Sequence, residues 1–316
     1  MDFSNEFEVV VNPKPEVWYK FVDEYLKIRW TAFHEGYEYL LKNFDHEDLQ
    51  FFAAFDKKTK EIAGSIQFGR YAPIDGSIDL VCIGKYFVMA DRRGQGLGEY
   101  LWKTALVQPK FSGKNLGLIA AQAMTDKYRD RYGFNKFYKS DLIVENRKIS
   151  DLKLQNLEID KEIKILDFKD VDVKKVLAFD TKINGNQRRD KFLEDWLKMK
   201  AMKAVKVAMN KDQEVVGFMG LCEMGDIITP SPLFAMNNKI AATLLKECLE
   251  SIDNLDSYRT FKTVRFEENS FSKSLFNQLT EEKTVQTKLY GQFTESVPDV
   301  DYDHVYCLTE LGTNVI

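Results

Sequence analysis

Apolar and polar positions alternate along the chain in two distinct rhythms. Between residues 16 and 49, Val17, Phe21, Tyr25 and Ile28 return near i, i+4, i+8 and i+11, which predicts one or two amphipathic helices. The rhythm then shortens. Phe51–Phe55 is apolar, Asp56-Lys57-Lys58-Thr59-Lys60 is a polar turn, and Ile62–Phe68 is again largely apolar, the signature of a hairpin. After a turn at Pro73–Gly76, Leu80–Met89 reads as a long strand. Glu99–Val107 reads as a helix, Leu116–Ala123 as a buried strand and Asp126–Tyr132 as a short helix that stops at a C-cap glycine, Gly133. Phe134–Val144 supplies a closing strand. Helices, three strands, helix, strand, helix, strand is an α/β or α+β layered arrangement.

Past residue 145 the chain turns polar (Glu145-Asn146-Arg147-Lys148) and the pattern begins again. Ala54-Phe55-Asp56 leading to Glu61-Ile62-Ala63-Gly64 is echoed by Ala208-Met209-Asn210 leading to Glu214-Val215-Val216-Gly217. Each hairpin follows a helical stretch, Phe192–Met202 in the second case, and precedes a further strand and a helix, Ala241–Ile252 in the second case. Thr260–Phe266 then reads as a strand and Ser270–Leu279 as a helix. The expectation is two copies of one mixed-sheet fold, divided as residues 1–147 and 148–316.

One loop carries a chemical signal. Gly94, Gly96 and Gly98 fall between a strand and a helix. Glycines let backbone approach a ligand and adopt positive φ. The helix that follows offers unpaired N–H groups and the positive end of its dipole, so the loop suits a phosphate or pyrophosphate; the alternative is a flexible turn without a ligand. A dinucleotide fingerprint needs a third glycine where Glu99 stands, and a P-loop needs Gly-Lys-Ser/Thr where the chain reads Gly98-Glu99-Tyr100.

The stretch Arg93-Gly94-Gln95-Gly96-Leu97-Gly98 resembles the R-x-x-G-x-G signature of the GNAT superfamily of N-acetyltransferases. The resemblance runs from about residue 15 to residue 145. Ile83–Met89 is similar to the family's fourth strand, Leu116–Ala123 to its fifth, and Tyr132-Gly133-Phe134 to the end of the next helix. The two-domain YitH-like branch is closer still, through His34-Glu35-Gly36-Tyr37, Phe51–Ala54, Gly64-Ser65-Ile66, Gly185–Arg188 and the ending Val305–Leu308 and Glu310–Gly312.

The resemblance implies acetyl-CoA as cosubstrate and direct transfer to a primary amine of a small molecule or amino acid. The alternatives are a protein lysine acetyltransferase and a catalytically silent acyl-CoA-binding module. It implies that the pantetheine arm pairs with the backbone of Phe87, Val88 and Met89, with an N–H near Met89 polarising the thioester. The pyrophosphate would sit on Gly94, Gln95, Gly96, Leu97, Gly98 and Glu99, and Arg93 either adds charge beside it or faces solvent. The family often places a tyrosine four residues before the Gly-Phe pair, where this chain has Arg129. A one-residue offset turns a helical side chain by about 100°, so Tyr128 can serve as the thiolate's acid if the helix is shifted or bulged. Glu35 and Asp79 are the candidate bases, with His34 behind them; a water chain is the alternative. The second half has Thr229-Pro230-Ser231-Pro232 through Asn237-Asn238 where the glycine loop should be, so it is expected to be degenerate, without a donor site, and to shape the acceptor pocket.

Composition adds mainly exclusions. At 316 residues, 44% apolar and 30% charged, the chain can fill two domains. A net charge of -4 and a pI near 5.7 lack the basic excess of a nucleic-acid binder. Cys82, Cys222, Cys248 and Cys307 form no C-x-x-C pair, and His34, His46 and His304 no zinc spacing, so no metal is expected. No secretory signal or membrane-length apolar run is visible, and the expected location is the cytoplasm. The oligomeric state is open.

Overall fold

The computed structural model describes residues 3–41, 48–106 and 111–313. In the first half the chain forms β1 (Phe7–Val11), α1 (Pro15–Lys27), a single helical turn at Tyr37–Leu41, β2 (Leu49–Asp56), β3 (Ile62–Tyr71) and β4 (Leu80–Val88). It continues with α2 (Leu97–Leu106), β5 (Asn115–Ala121), α3 (Gln122–Tyr132), β6 (Lys136–Phe137) and β7 (Leu142–Lys148). The second half forms β8 (Lys164–Asp167), α4 (Val173–Ile183), α5 (Asp190–Leu197), β9 (Met202–Met209), β10 (Val215–Met224) and β11 (Ile227–Ala235). Then come α6 (Asn238–Glu250), β12 (Thr260–Phe266), α7 (Ser270–Leu279), β13 (Thr284–Phe293) and β14 (Val305–Cys307).

Local chemistry explains most of these boundaries. Pro15 opens α1, where its missing N–H costs nothing, and Trp18, Phe21, Val22 and Tyr25 bury one stripe of it. Gly133 ends α3 at φ +78°, the left-handed cap that glycine adopts without a Cβ penalty. Asp172, Asn237 and Asn269 cap α4, α6 and α7, each side-chain oxygen accepting a first-turn N–H.

The strands join in one mixed sheet in the order β1-β2-β3-β4-β5-β13-β7-β12-β11-β10-β9-β8, with β6 attached to β13 and β14 to β11. The sheet is an α/β arrangement of two halves, and the halves exchange their last long strands. β13, from the second half, pairs antiparallel with β5 (Leu289 opposite Ala121 through Phe293 opposite Gly117). β7, from the first half, pairs antiparallel with β12 (Thr260 opposite Lys148 through Phe266 opposite Leu142). The two exchanged strands also pair with each other.

Both faces of the sheet are covered. On one, an apolar core made by α1, α4 and α5 runs through both halves and takes in Tyr25, Phe51, Phe87, Trp196, Phe218 and Val264. On the other, α2 and α3 close a first-half core around Phe52, Ile83, Trp102 and Phe134, and α6 and α7 close a second-half core around Leu221, Leu244 and Phe276.

Several expectations shift. The closing strand of the first half lies at Leu142–Lys148, not Phe134–Val144, where only Lys136–Phe137 pairs. The polar run Glu145–Lys148 is part of that strand. Glu145 and Arg147 are only 1% and 2% exposed, because Glu145 takes Arg147 at 3.0 Å and Arg265 of β12 at 2.9 Å. The strand Phe7–Val11 precedes the first helix. The helical readings of residues 16–49 and 99–107 take in residues 42–47 and Val107, which lie outside the described residues, as does His46.

Candidate functional site

The parallel pairing of β4 with β5 covers only Leu80–Ile83 against Asn115–Leu118. β4 runs on to Val88 while β5 turns toward β13, so the two strands part. A register shift between Ser65 and Gln67, and Lys85 in the left-handed region at φ +49°, bend β4 where the opening begins. The gap belongs to a cavity of about 650 Å³, with Tyr86, Phe87 and Val88 on one edge and Ala120, Met124 and Tyr128 on the other.

The backbone at this edge differs from expectation by one residue. The Met89 N–H donates to the Ala63 carbonyl at 2.9 Å and so faces β3, not the gap. Backbone groups alternate sides along an antiparallel pair, which turns Phe87 to β3 as well and leaves Val88 facing the opening. The Val88 carbonyl accepts from Arg93 Nε at 2.9 Å. Its N–H is the donor that the gap receives.

The glycine loop continues this edge. Gly94 and Gly96 have φ of +75° and +95°, and the Gly96 carbonyl accepts the first bond of α2 from Tyr100 N–H at 3.1 Å. The N–H groups of Leu97, Gly98 and Glu99 have no earlier helical turn to bond. A Cβ on Gly98 would lie 2.7 Å from the Tyr86 hydroxyl and 3.3 Å from Val88 Cγ2, so the close approach of helix to strand needs glycine there. Buried Leu97 fixes the start of the helix in the core. Arg92 ties the preceding turn to Asp56 at 2.9 Å, Gln95 Nε2 donates to the Asp91 carbonyl at 3.0 Å, and the Arg93 guanidinium lies over the Phe87 ring. Glu99 pairs with Lys103 at 2.8 Å and faces Arg131 at 3.6 Å. The Lys103 hydrogen bond holds its carboxyl below the usual range. The glycine loop at the start of α2 and the strand edge where β4 parts from β5 thus meet at Val88 and Arg93.

Of the three expected catalytic side chains, Tyr128 lies on the cavity wall. It does so from a regular α3, with neither shift nor bulge. Its ring packs against Trp102 and Phe134, and burial, reinforced by nearby Tyr132, pushes its phenol up, so that it stays protonated. Tyr132 lies against Trp102 with its hydroxyl buried and unbonded. Glu35 accepts the Ala201 N–H at 2.7 Å, which ties the first half to the start of β9. Asp79 pairs with Lys114 at 2.7 Å at the other end of β4, nine residues from Val88 along the strand, or roughly 30 Å at about 3.3 Å per residue. His34 pairs with Asp23 at 2.8 Å. Glu35, Asp79 and His34 are not among the side chains that line the cavity. Sequence reasoning did not reach Arg29, Lys85 and Lys262, nor the tail residues Leu311 and Gly312, all of which line it. Lys262 carried a usable signal, a lysine inside the apolar strand Thr260–Phe266.

The second half repeats the parting strands with a different filling. β11 and β12 pair in parallel only at Ile227 and Ile228. The Met236 N–H turns to the Val216 carbonyl at 2.9 Å, as Met89 does to Ala63. Here β14 enters the gap. Leu233 and Phe234 of β11 pair with Cys307 and Val305, and the Leu308 N–H reaches across to the Val264 carbonyl of β12 at 2.8 Å. The Asn237 side chain occupies the Ile240 N–H at the start of α6. The second gap is therefore closed by the protein's own chain.

Among the described residues, no group of His, Cys, Asp or Glu side chains could hold a metal ion, and no helix is long and apolar enough to cross a membrane.

A family model described as "Protein of unknown function (DUF1248)" matches residues 4–183, and one described as "Acetyltransferase (GNAT) domain" matches residues 176–281. No curated protein matches the chain. Among solved structures, a putative acetyltransferase from Pyrococcus horikoshii is similar at 15% identity and a TM-score of 0.72, covering 99% of this chain and 98% of its own. A tandem GNAT protein from the clavulanic acid biosynthesis pathway is similar at 9% identity and a TM-score of 0.65, covering 92% and 100%. Saccharomyces cerevisiae N-myristoyltransferase, solved with bound myristoyl-CoA, is similar at 11% identity and a TM-score of 0.63, covering 100% and 86%.

Proposed function

The chain belongs to the DUF1248 family and to the GNAT superfamily of acetyltransferases, and from that premise we propose that it transfers an acetyl group from acetyl-CoA to a primary amine of a small molecule or amino acid. The observation that carries the reading is the contrast between the two gaps. In the second half an extended segment, β14, already bonds the parted strands. In the first half the same kind of gap is open along β4 and ends at a glycine cradle. An extended ligand with amides along its length and a pyrophosphate at one end matches the open gap, as β-strand addition and helix N-terminal anion binding require.

Each residue then has a task. The N–H groups from Gln95 to Glu99 take the pyrophosphate, with Arg93 beside them. Val88 offers its N–H to the amide edge or the thioester carbonyl, where a fixed donor stabilises developing negative charge. Acetyl-CoA supplies the activated acetyl group. Tyr128, kept protonated by burial, donates its phenolic proton to the departing sulfur. No carboxylate is assigned as base, since Glu35 and Asp79 are committed to Ala201 and Lys114; the amine loses its proton to water in the cavity.

Calorimetric titration with acetyl-CoA, with free CoA and ATP as controls, tests this reading. The expected result is one site per chain, strong for acetyl-CoA and CoA and weak for ATP. No binding overturns it. Two sites per chain would mean that β14 does not close the second half.

A further inference from the structure

The acetyl-transfer reading leaves three cations of the cavity without a task. Arg29, Lys85 and Lys262 all line it. Lys262 is the most telling. It lies on β12, 5% exposed, and its ammonium has no hydrogen bond or ion pair among the described residues. Arg29 likewise makes no ion pair among them. Lys85 is held by the Thr31 carbonyl at 2.6 Å and lies over the Tyr25 ring at 5.7 Å. Burial lowers the pKa of both lysines, and Lys85 and Arg29 lower that of Lys262 further, with Cys307 acting in the opposite sense. Glu310 acts on Lys85 in the opposite sense, and its carboxylate also accepts the N–H groups of Gly312 and Thr313 and the Thr313 hydroxyl.

Three like charges gathered in a partly enclosed cavity repel one another, and a buried ammonium without a partner is costly. A site of this kind is completed by an anion. The donor's phosphates are not that anion, because the glycine cradle starts α2, which packs on the opposite face of the sheet. Lys262 shares its face with Val264, two residues on, whose core includes Tyr25 and Phe87. That is the face on which both halves meet and where the tail residue Gly312 lies against Gly84.

Resting on the acetyltransferase reading, we propose that the acceptor is an amine that also carries a carboxylate, held by Lys262 and Arg29 while its amine faces the Val88 end of the gap. Amino acids are the chemical class that fits. Diamines and polyamines are disfavoured by the same three charges.

The test uses the full chain and matched ligands. On CoA-saturated protein, calorimetry compares N-acetyl amino acids with their primary amides, and thiol release from acetyl-CoA compares free amino acids with the corresponding amino amides and decarboxylated amines. The acid should exceed its amide by about tenfold or more in affinity and in kcat/KM, as a charge-assisted bond implies. Lys262→Met should erase that ratio by raising KM for the acid, while the amide changes little. Arg29→Met should do the same in part. Equal treatment of acid and amide by the wild-type protein, no binding of either, or a preference that survives both substitutions would overturn the proposal. A separate acetyl-CoA titration of the same preparation keeps the two readings apart: if it binds and no acid preference appears, only the carboxylate site fails.

Discussion

Replacing Gly98 by Asp places a carboxylate at the one point where α2, β4 and the expected pyrophosphate converge. Three effects combine, and each can be isolated. A Cβ there lies 2.7 Å from the Tyr86 hydroxyl, so any side chain must displace Tyr86, whose ring packs against Trp102. Gly98→Ala measures that effect. Gly98→Asn adds the bulk of the larger side chain without its charge. The step from Asn to Asp then adds one negative charge about 4 Å from the pyrophosphate. That costs roughly 1–4 kcal/mol between water-like and surface-like screening, which is about fivefold to several hundredfold in acetyl-CoA affinity. The assay is calorimetric titration of the three variants, each checked by circular dichroism and thermal melting. The Asp–Asn difference should shrink as salt is raised, since screening at about 1 M reaches within roughly 3 Å. Folded Asp and Asn variants of equal affinity would refute the assignment of the cradle to a phosphate.

Other perturbations probe separate parts of the reasoning. Tyr128→Phe keeps the ring against Trp102 and removes the proton; kcat should fall by about a hundredfold or more while acetyl-CoA affinity stays within about twofold, and an unchanged kcat in steady-state assays removes Tyr128 from the chemistry. Glu145→Gln leaves Arg147 and Arg265 short of a partner in the middle of the sheet, and chemical denaturation should register a loss of about 3–5 kcal/mol. Burial acts to raise the Glu145 pKa, but the bonds and charges of Arg265 and Arg147 outweigh it and hold the pKa below its ordinary value. Its contribution should therefore be complete above the unfolded pKa near 4.3 and be lost as pH falls through the lower folded value, a loss absent from Glu145→Gln in melts taken down the acid range. A Cβ on Gly291 of β13 would meet the Tyr138 ring at 2.1 Å; Gly291→Ala should lower stability by about 1–3 kcal/mol or more, and calorimetry should show one transition for both halves. Two separate transitions in the wild-type protein would contradict the coupling that the exchanged strands impose.

What could be read in the sequence was what depends on near neighbours. The glycine loop was legible because three glycines, a preceding strand and a following helix are all local. Gly133 ended its helix as read, and Thr260–Phe266 and Ser270–Leu279 fell where their patterns put them. The charged run Glu145–Lys148 misled because a polar stretch ordinarily marks solvent, and the acid and base that satisfy each other there come from strands separated by more than a hundred positions. Nothing in Thr284–Phe293 says that its neighbours are β5 and β7 rather than β12, since edge groups are alike on every strand. At the site, the backbone alternation that selects Val88 over Met89 depends on the register with β3. Glu35 and Asp79 looked available because their partners, Ala201 and Lys114, are supplied by the fold. Lys262 was visible as an anomaly in an apolar strand, but its neighbours Arg29 and Lys85 come from other elements.

The exchange of β7 and β13 also sets an order for synthesis. The ribosome delivers residues 1–148 first, yet the strand that completes the edge of β5 ends at Phe293, well over a hundred residues later. Until it emerges, the nascent first half presents an unpaired strand edge, a surface prone to mispairing. Nor can β7 reach its place beside β12 until residue 260 and beyond have been made. The gap between β4 and β5 thus takes its final form only once residue 293 has been translated. Expressing the first half alone would yield a protein with the glycine loop but an unfinished wall behind it.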